Sequence, residues 1–176
     1  MKGSSRKNFN GSITLMYSLK NLIFKNYSSV GVNRSQESKY GTFSTYVNQE
    51  PYNQPYDSDG NIVRYFDGFY ANSTRIQNPL YDATLNSFNK TGYTELLNSF
   101  SVEWRVLNEL TLRGQFSISN NHNTSDYFLP ADHSYFNTDT YNNTDDGFFR
   151  KGLYTYGTGD TSTYDGNITL SYNKTF

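Results

Sequence analysis

Residues Asn98 to Ser119 read NSFSVEWRVLNELTLRGQFSIS, and their alternation decides the fold class. Phe100, Val102, Trp104 and Val106 share one parity, while Ser99, Ser101, Glu103 and Arg105 share the other. Successive side chains of a strand point to opposite faces, so this is a strand with one apolar and one wetted face. After Leu107-Asn108-Glu109 the pattern resumes, with Leu110, Leu112, Phe116 and Ile118 apolar and Thr111, Arg113, Gln115, Ser117 and Ser119 polar. Two such runs in succession read as a β-hairpin. Their apolar sets share a face only if paired residue numbers have an even sum, as in Val106 with Leu110 or Trp104 with Leu112. That parity predicts a loop with an odd number of residues, in its shortest form Leu107 to Glu109, with Asn108 in a left-handed conformation.

On either side of the hairpin the same signal returns. From Ser12 to Leu19, Ile13, Leu15, Tyr17 and Leu19 alternate with Thr14, Met16 and Ser18, and Lys20-Asn21 offers a short turn. Leu22 to Gln36 has strand composition, but both parities mix polar and apolar residues, which leaves its faces open. Glu37 to Leu96 reads as a long excursion rich in Tyr, Asn, Ser and Gly with Pro51, Pro55 and Pro79; a structureless loop of that length is unusual in a compact soluble domain. A second polar stretch runs from about Asn120 to Gly152. Strand pattern returns at Leu153 to Gly157 and at Tyr164 to Phe176, where Ile168, Leu170 and Tyr172 alternate with polar neighbours; Gly157-Thr-Gly-Asp-Thr between them reads as a flexible bend. Gly11-Ser-Ile-Thr-Leu-Met-Tyr echoes Gly166-Asn-Ile-Thr-Leu-Ser-Tyr, two strands in similar surroundings rather than a repeat. Helical periodicity is weak throughout.

Composition narrows the function classes. The 176 residues carry a net charge of -1 with no basic stripe, which removes the electrostatic case for nucleic acid. With no Cys there is no disulfide framework, thiolate nucleophile or Cys-based zinc site. The apolar fraction is only 35%, yet 17 Tyr and 13 Phe concentrate it in large amphipathic rings suited to sheet surfaces and interfaces. Apolar runs such as Leu22-Ile23-Phe24 are far too short for a membrane helix, a test that a β-barrel evades because only alternate residues face lipid. The N-terminal MKGSSRKNFNGS is basic without an apolar stretch or cleavage site, so it does not read as a signal peptide.

The connections add a further constraint. Short links at Lys20-Asn21 and Leu107 to Glu109 alternate with the two long ones, which puts tight turns at one end of an antiparallel sheet and long loops at the other. Outer-membrane barrels have this asymmetry, with short periplasmic turns and long external loops.

The chain also resembles a family, the SusC/RagA-type TonB-linked outer-membrane transporters of Bacteroidetes. The resemblance rests on Tyr40-Gly-Thr-Phe-Ser, Pro55-Tyr-Asp-Ser-Asp-Gly-Asn, Asn78-Pro-Leu-Tyr-Asp-Ala, the hairpin from Asn98 to Gly114, Ser125-Asp-Tyr-Phe-Leu-Pro-Ala and Tyr164-Asp-Gly-Asn-Ile-Thr-Leu-Ser-Tyr, in family order. It implies an all-β fold in which residues 1–176 form five or six strands of a much larger barrel, without the family's signal peptide or plug domain. It also implies nutrient import, of glycans or oligopeptides, with a SusD-like surface lipoprotein and TonB as partners of the full-length transporter. Phe100, Val102, Trp104, Val106, Leu110, Leu112, Phe116, Ile118, Ile168, Leu170 and Tyr172 would then face outer-membrane lipid. The alternative is a soluble, secreted β-sheet module that binds carbohydrate.

For ligand contact the first long loop supplies Tyr46, Tyr52, Tyr56, Tyr65 and Tyr70, whose rings can stack on apolar sugar faces or pack against one another. Asp57, Asp59 and Asn61 around Gly60 resemble part of a calcium loop, but the twelve-residue pattern lacks its terminal Glu and a tight turn is the better reading. His122 and His133, with Asp126 and Asp132 nearby, lack a third spaced ligand and read as surface residues. Asp145-Asp146 lies in a polar loop, and the Asn-X-Ser/Thr triplets at Asn72 and Asn89 follow from composition. No nucleophile motif or phosphate loop appears, so neither catalysis, metal nor cofactor is expected.

Overall fold

The computed structural model describes residues 2–69, 75–137 and 149–174. Five long strands, β1 (Ser5–Leu19), β2 (Leu22–Gln36), β5 (Phe88–Arg105), β6 (Leu110–Leu129) and β7 (Leu153–Tyr172), form one antiparallel sheet in the order β1-β2-β5-β6-β7. The sheet is not closed. Between β2 and β5 lie α1 (Phe43–Val47), the antiparallel pair β3 (Tyr65–Phe69) and β4 (Arg75–Gln77), and α2 (Pro79–Thr84). A 3-10 turn, η1 (Ser134–Phe136), follows β6. By its contacts the chain divides into a turn unit, residues 7–34, 92–124 and 158–176, and a loop unit, residues 1–6, 35–91 and 125–157.

In the turn unit, cross-strand contacts define the register. Gly11 lies beside Val30 and Gly31 beside Asn10; Asn21 bonds Arg105, and Ser28 bonds Asn98. Arg113 meets Glu103 at 3.0 Å and Ser117 meets Ser99 at 2.8 Å; Phe116 abuts Gly166, and Ser162 bonds Asn120 at 2.8 Å. These pairs place odd residues of β1 and even residues of β2, β5, β6 and β7 on one face. The faces of β2, open from composition alone, are thereby settled: Leu22, Phe24, Val30 and Val32 join Phe100, Val102 and Trp104. Phe24 and Phe100 sit with ring centroids 6.2 Å apart.

The β5–β6 turn departs from the expected three-residue loop. Leu107 and Leu110 exchange both backbone bonds, each 3.2 Å, enclosing only Asn108-Glu109. That pair has an odd sum, whereas Glu103–Arg113 and Ser99–Ser117 have even sums, so one extra residue is accommodated between the turn and those pairs. The irregularity keeps both apolar sets on one face, the task assigned above to the loop itself. Asn108 is not left-handed; among the described residues the one non-glycine residue with positive φ is Lys20, at 48° in the β1–β2 turn. Asn tolerates that region better than a longer side chain. Lys20→Asn is expected to stabilise the hairpin by up to about 1 kcal/mol, read as a higher urea midpoint, and an unchanged or lower midpoint would refute the strain assignment.

Three strands reach further than alternation indicated. β1 begins at Ser5 rather than Ser12, β5 at Phe88 rather than Asn98, and β6 runs to Leu129 rather than Ser119. β7 is continuous, so Gly157-Thr-Gly-Asp-Thr is strand, not a bend. Polar residues on both faces erase the period-two signal there, and cross-strand polar bonds mark the pairing instead. Ser35 to Thr91 at 2.7 Å and Asn89 to Glu37 at 2.8 Å do so in the loop unit, and His122 to Asp160 at 2.6 Å in the turn unit. The long excursion also holds more structure than its composition suggested, namely α1, α2, β3 and β4.

The loop unit has its own small core of Phe66, Leu129 and Phe136 with buried Asn78, Ser87, Ser134 and Asn137. Asn78, 1% exposed, is its keystone. Its Oδ1 caps α2 by accepting from the Leu80 N–H at 3.1 Å, with Pro79 occupying the first turn where no N–H is needed. Its Nδ2 donates to the Pro55 carbonyl at 3.1 Å and the Val63 carbonyl at 2.6 Å. One side chain thus ties three backbone segments.

Candidate functional site

A cleft of about 640 Å³ opens in the loop unit, lined by Glu37, Lys39, Asn89, Ser125, Tyr127, His133 and neighbours. It arises where the ends of β2, β5, β6 and β7 meet the segments that follow β2 and β6. Odd residues of β5, β6 and β7 supply much of its wall, the opposite parity to the apolar set. Glu37 accepts from Asn89 Nδ2 at 2.8 Å, and Lys39 Nζ donates to the Leu85 carbonyl at 2.8 Å. A half-buried phenol, a carboxylate, an ammonium, an amide and hydroxyls within one concavity can stack on a ring and exchange several directed hydrogen bonds.

One wall is held by a charged tie. Asp82, on α2, accepts from the Ser134 N–H at 3.0 Å and from the Ser134 hydroxyl, while His133 Nδ1 stands 3.9 Å away. His133 Nδ1 accepts from the Tyr135 N–H at 3.1 Å and caps η1, which requires an unprotonated Nδ1. Burial lowers the His133 pKa below its ordinary value, against the opposing pull of Asp82. Ser134 donates to the carboxylate and is 3% exposed, so the trio is a structural tie and lacks the serine-to-imidazole bond of a nucleophile relay. Nearby, Arg64 bonds the Asp132 carbonyl at 2.6 Å.

The structure does not gather the loop tyrosines. Tyr65 lies under Arg64 and Arg75, whose guanidinium carbons sit 5.2 and 5.7 Å from its ring centroid. Tyr46 is half-buried, its hydroxyl without a hydrogen-bond partner and its pKa raised by burial and then by Tyr40 and Asp82. Tyr52 and Tyr56 are exposed, and Tyr52 is drawn to Glu50, which raises its pKa. Tyr70, Asn72, Asp145-Asp146 and Phe176 lie outside the described residues. Tyr127, the tyrosine that lines the cleft, was missed because it sits in a stretch read as loop; its odd position two residues after Ser125 was the available signal.

Asp57 forms a tight turn: its Oδ1 accepts from Asn61 N–H at 2.8 Å and Asp59 N–H at 3.0 Å, and Gly60 takes φ 82°. The Asn61 backbone bond, chiefly, holds its carboxyl below the ordinary range. His122 pairs with Asp160 and His133 Nδ1 caps η1, and no cluster of three metal-binding side chains occurs among the described residues.

The apolar face of the turn unit is the second candidate surface. Phe100 and Trp104 are each 43% exposed, Phe116 50%, and Ile168, Leu170 and Tyr172 are exposed too. Val102, Val106, Leu110, Leu112 and Ile118 are half-buried. Three polar side chains on this face bond one another: Asn98 donates to Ser28 at 2.7 Å, Asn26 to Asn98 at 3.2 Å and Ser28 to Asn26 at 3.2 Å.

No family model matches the chain, and neither a curated protein nor a solved structure matches it.

Proposed function

We propose that the chain forms part of the wall of a SusC/RagA-type, TonB-dependent outer-membrane transporter that imports nutrients, glycans or oligopeptides. The carrying observation is the apolar face of the turn unit. On each long strand the apolar-face residues nearest the tight turns or the β7 end span nine to eleven residues: Phe9–Leu19 and Leu22–Val32 eleven each, and Leu96–Trp104, Leu110–Ile118 and Tyr164–Tyr172 nine each. A tilted transmembrane strand needs about 9 to 11 residues. The opposite face carries Ser99, Ser101, Glu103, Arg113, Gln115 and Ser117, as a water-filled lumen requires. Asn26, Ser28 and Asn98 bond one another across β2 and β5, which lowers the cost of holding them at that depth in lipid. A soluble sheet has no reason to leave such a face uncovered.

On this reading the polar cleft of the loop unit contacts substrate, with Tyr127 as stacking platform and Glu37, Asn89 and Lys39 as polar contacts. A SusD-like lipoprotein and TonB are partners of the complete transporter, nucleic acid is not, and the chain is assigned no catalytic role. Both sheet edges present unpaired backbone groups and the apolar face has no covering layer, so the chain alone is expected to associate in water. Size-exclusion chromatography with light scattering in detergent-free buffer tests this. A sharp monomer near 20.3 kDa with a cooperative melt would overturn the transporter reading and favour a soluble carbohydrate-binding module.

A further inference from the structure

We infer that Lys7 and Arg34 form a binding site for the phosphate of an anionic membrane-lipid headgroup, an inference that rests on the outer-membrane reading. The register that pairs Gly11 with Val30 also sets Lys7 opposite Arg34, both exposed and both on the apolar face. Like charges directly opposite across an antiparallel pair repel. Among the described residues neither has a carboxylate partner. The hairpin offers none, since residues 1–36 hold six of the fifteen basic residues and none of the sixteen acidic ones. Among the described residues on this face of the turn unit the one carboxylate is Asp160, and it is engaged with His122 at 2.6 Å.

Position selects the occupant. Phe9 and Val32 form the last apolar row, so the apolar stretch on these strands is Phe9–Leu19 and Leu22–Val32, eleven residues each and a full membrane crossing. Lys7 and Arg34 follow immediately on the side away from the tight turn, where headgroups begin. A phosphate bridging an ammonium and a guanidinium there relieves their repulsion and accepts charge-assisted hydrogen bonds. A basic residue near an anionic surface is worth about 1 kcal/mol, so two predict roughly tenfold to thirtyfold tighter association.

The test uses the full chain with phosphatidylcholine vesicles, with and without phosphatidic acid, read by flotation and by protection of the strands from trypsin. Protection in phosphatidylcholine alone reports the membrane reading; the gain on adding phosphatidic acid reports the site. The Lys7→Gln/Arg34→Gln double variant should lose that gain, whereas Lys25→Gln, on the opposite face, should keep it. Lys7→Glu should raise the urea midpoint by pairing with Arg34 yet also abolish the gain, which separates loss of binding from loss of fold. A double variant that retains the gain overturns the site while leaving the membrane reading intact. Failure to float or resist trypsin in either composition overturns both. Suppression of the gain by inorganic phosphate at modest concentration overturns the lipid assignment in favour of a free anion.

Discussion

Val102→Arg is expected to cost about 2 to 4 kcal/mol of stability in a lipid bilayer, whereas Ser101→Arg, one residue away, is expected to change little. Val102 is half-buried in β5 on the face that carries Phe100 and Trp104, and Ser101 belongs to the face that carries Glu103 and Arg105. On the transporter reading the first substitution drives a guanidinium into hydrocarbon near mid-membrane, while the second adds one to a polar lumen. Urea unfolding of the chain assembled in vesicles measures both, and equal losses would show that the faces do not meet different solvents. For a soluble module the sign reverses, because Val102→Arg would break up an exposed apolar surface and raise solubility.

Asn78→Ala is expected to cost about 2 to 4 kcal/mol within the loop unit. Three losses act together: the cap of α2, worth about 1 kcal/mol, and the hydrogen bonds to two carbonyls that are then left without that partner at a 1% exposed position. Amide exchange should accelerate from Pro55 to Thr84 while β5 and β6 of the turn unit keep their protection. Unchanged exchange around Leu80 would show that the segments hold together without this side chain. Asn78→Asp separates the roles, since it keeps the cap but cannot donate to the Pro55 and Val63 carbonyls.

How far each feature was legible in the chain follows from what signal it leaves. Where one face is apolar, period-two alternation names strand and face together: Phe100 to Trp104, Leu110 to Ile118 and Ile13 to Leu19 were read correctly as strand on that basis. The composition of Leu22 to about Gln36 indicates the strand that the structure shows, but its faces need partners to assign, because the bonded Asn26 and Ser28 share the apolar side and Ile23 and Tyr27 lie on the other. Phe88 to Leu96 and Asn120 to Leu129 read as loop from the sequence, since polar residues on both faces leave no alternation and only cross-strand partners reveal them. The cleft was hidden for the same reason, for Glu37, Asn89 and Tyr127 come from three separate stretches that the strand register brings together.

By itself, then, the sequence determined the β class, the polarity of the faces of the Asn98 to Ser119 hairpin and of the first and last strands, and the alternation of tight with long connections, because these rest on local periodicity and turn chemistry. Only the tertiary structure decided the strand lengths, the two-residue closure at Leu107 and Leu110, the burial of Asn78 and the pairing of Lys7 with Arg34. Each of those depends on which distant residue stands opposite, and a one-residue shift in pairing changes the answer without changing the local pattern.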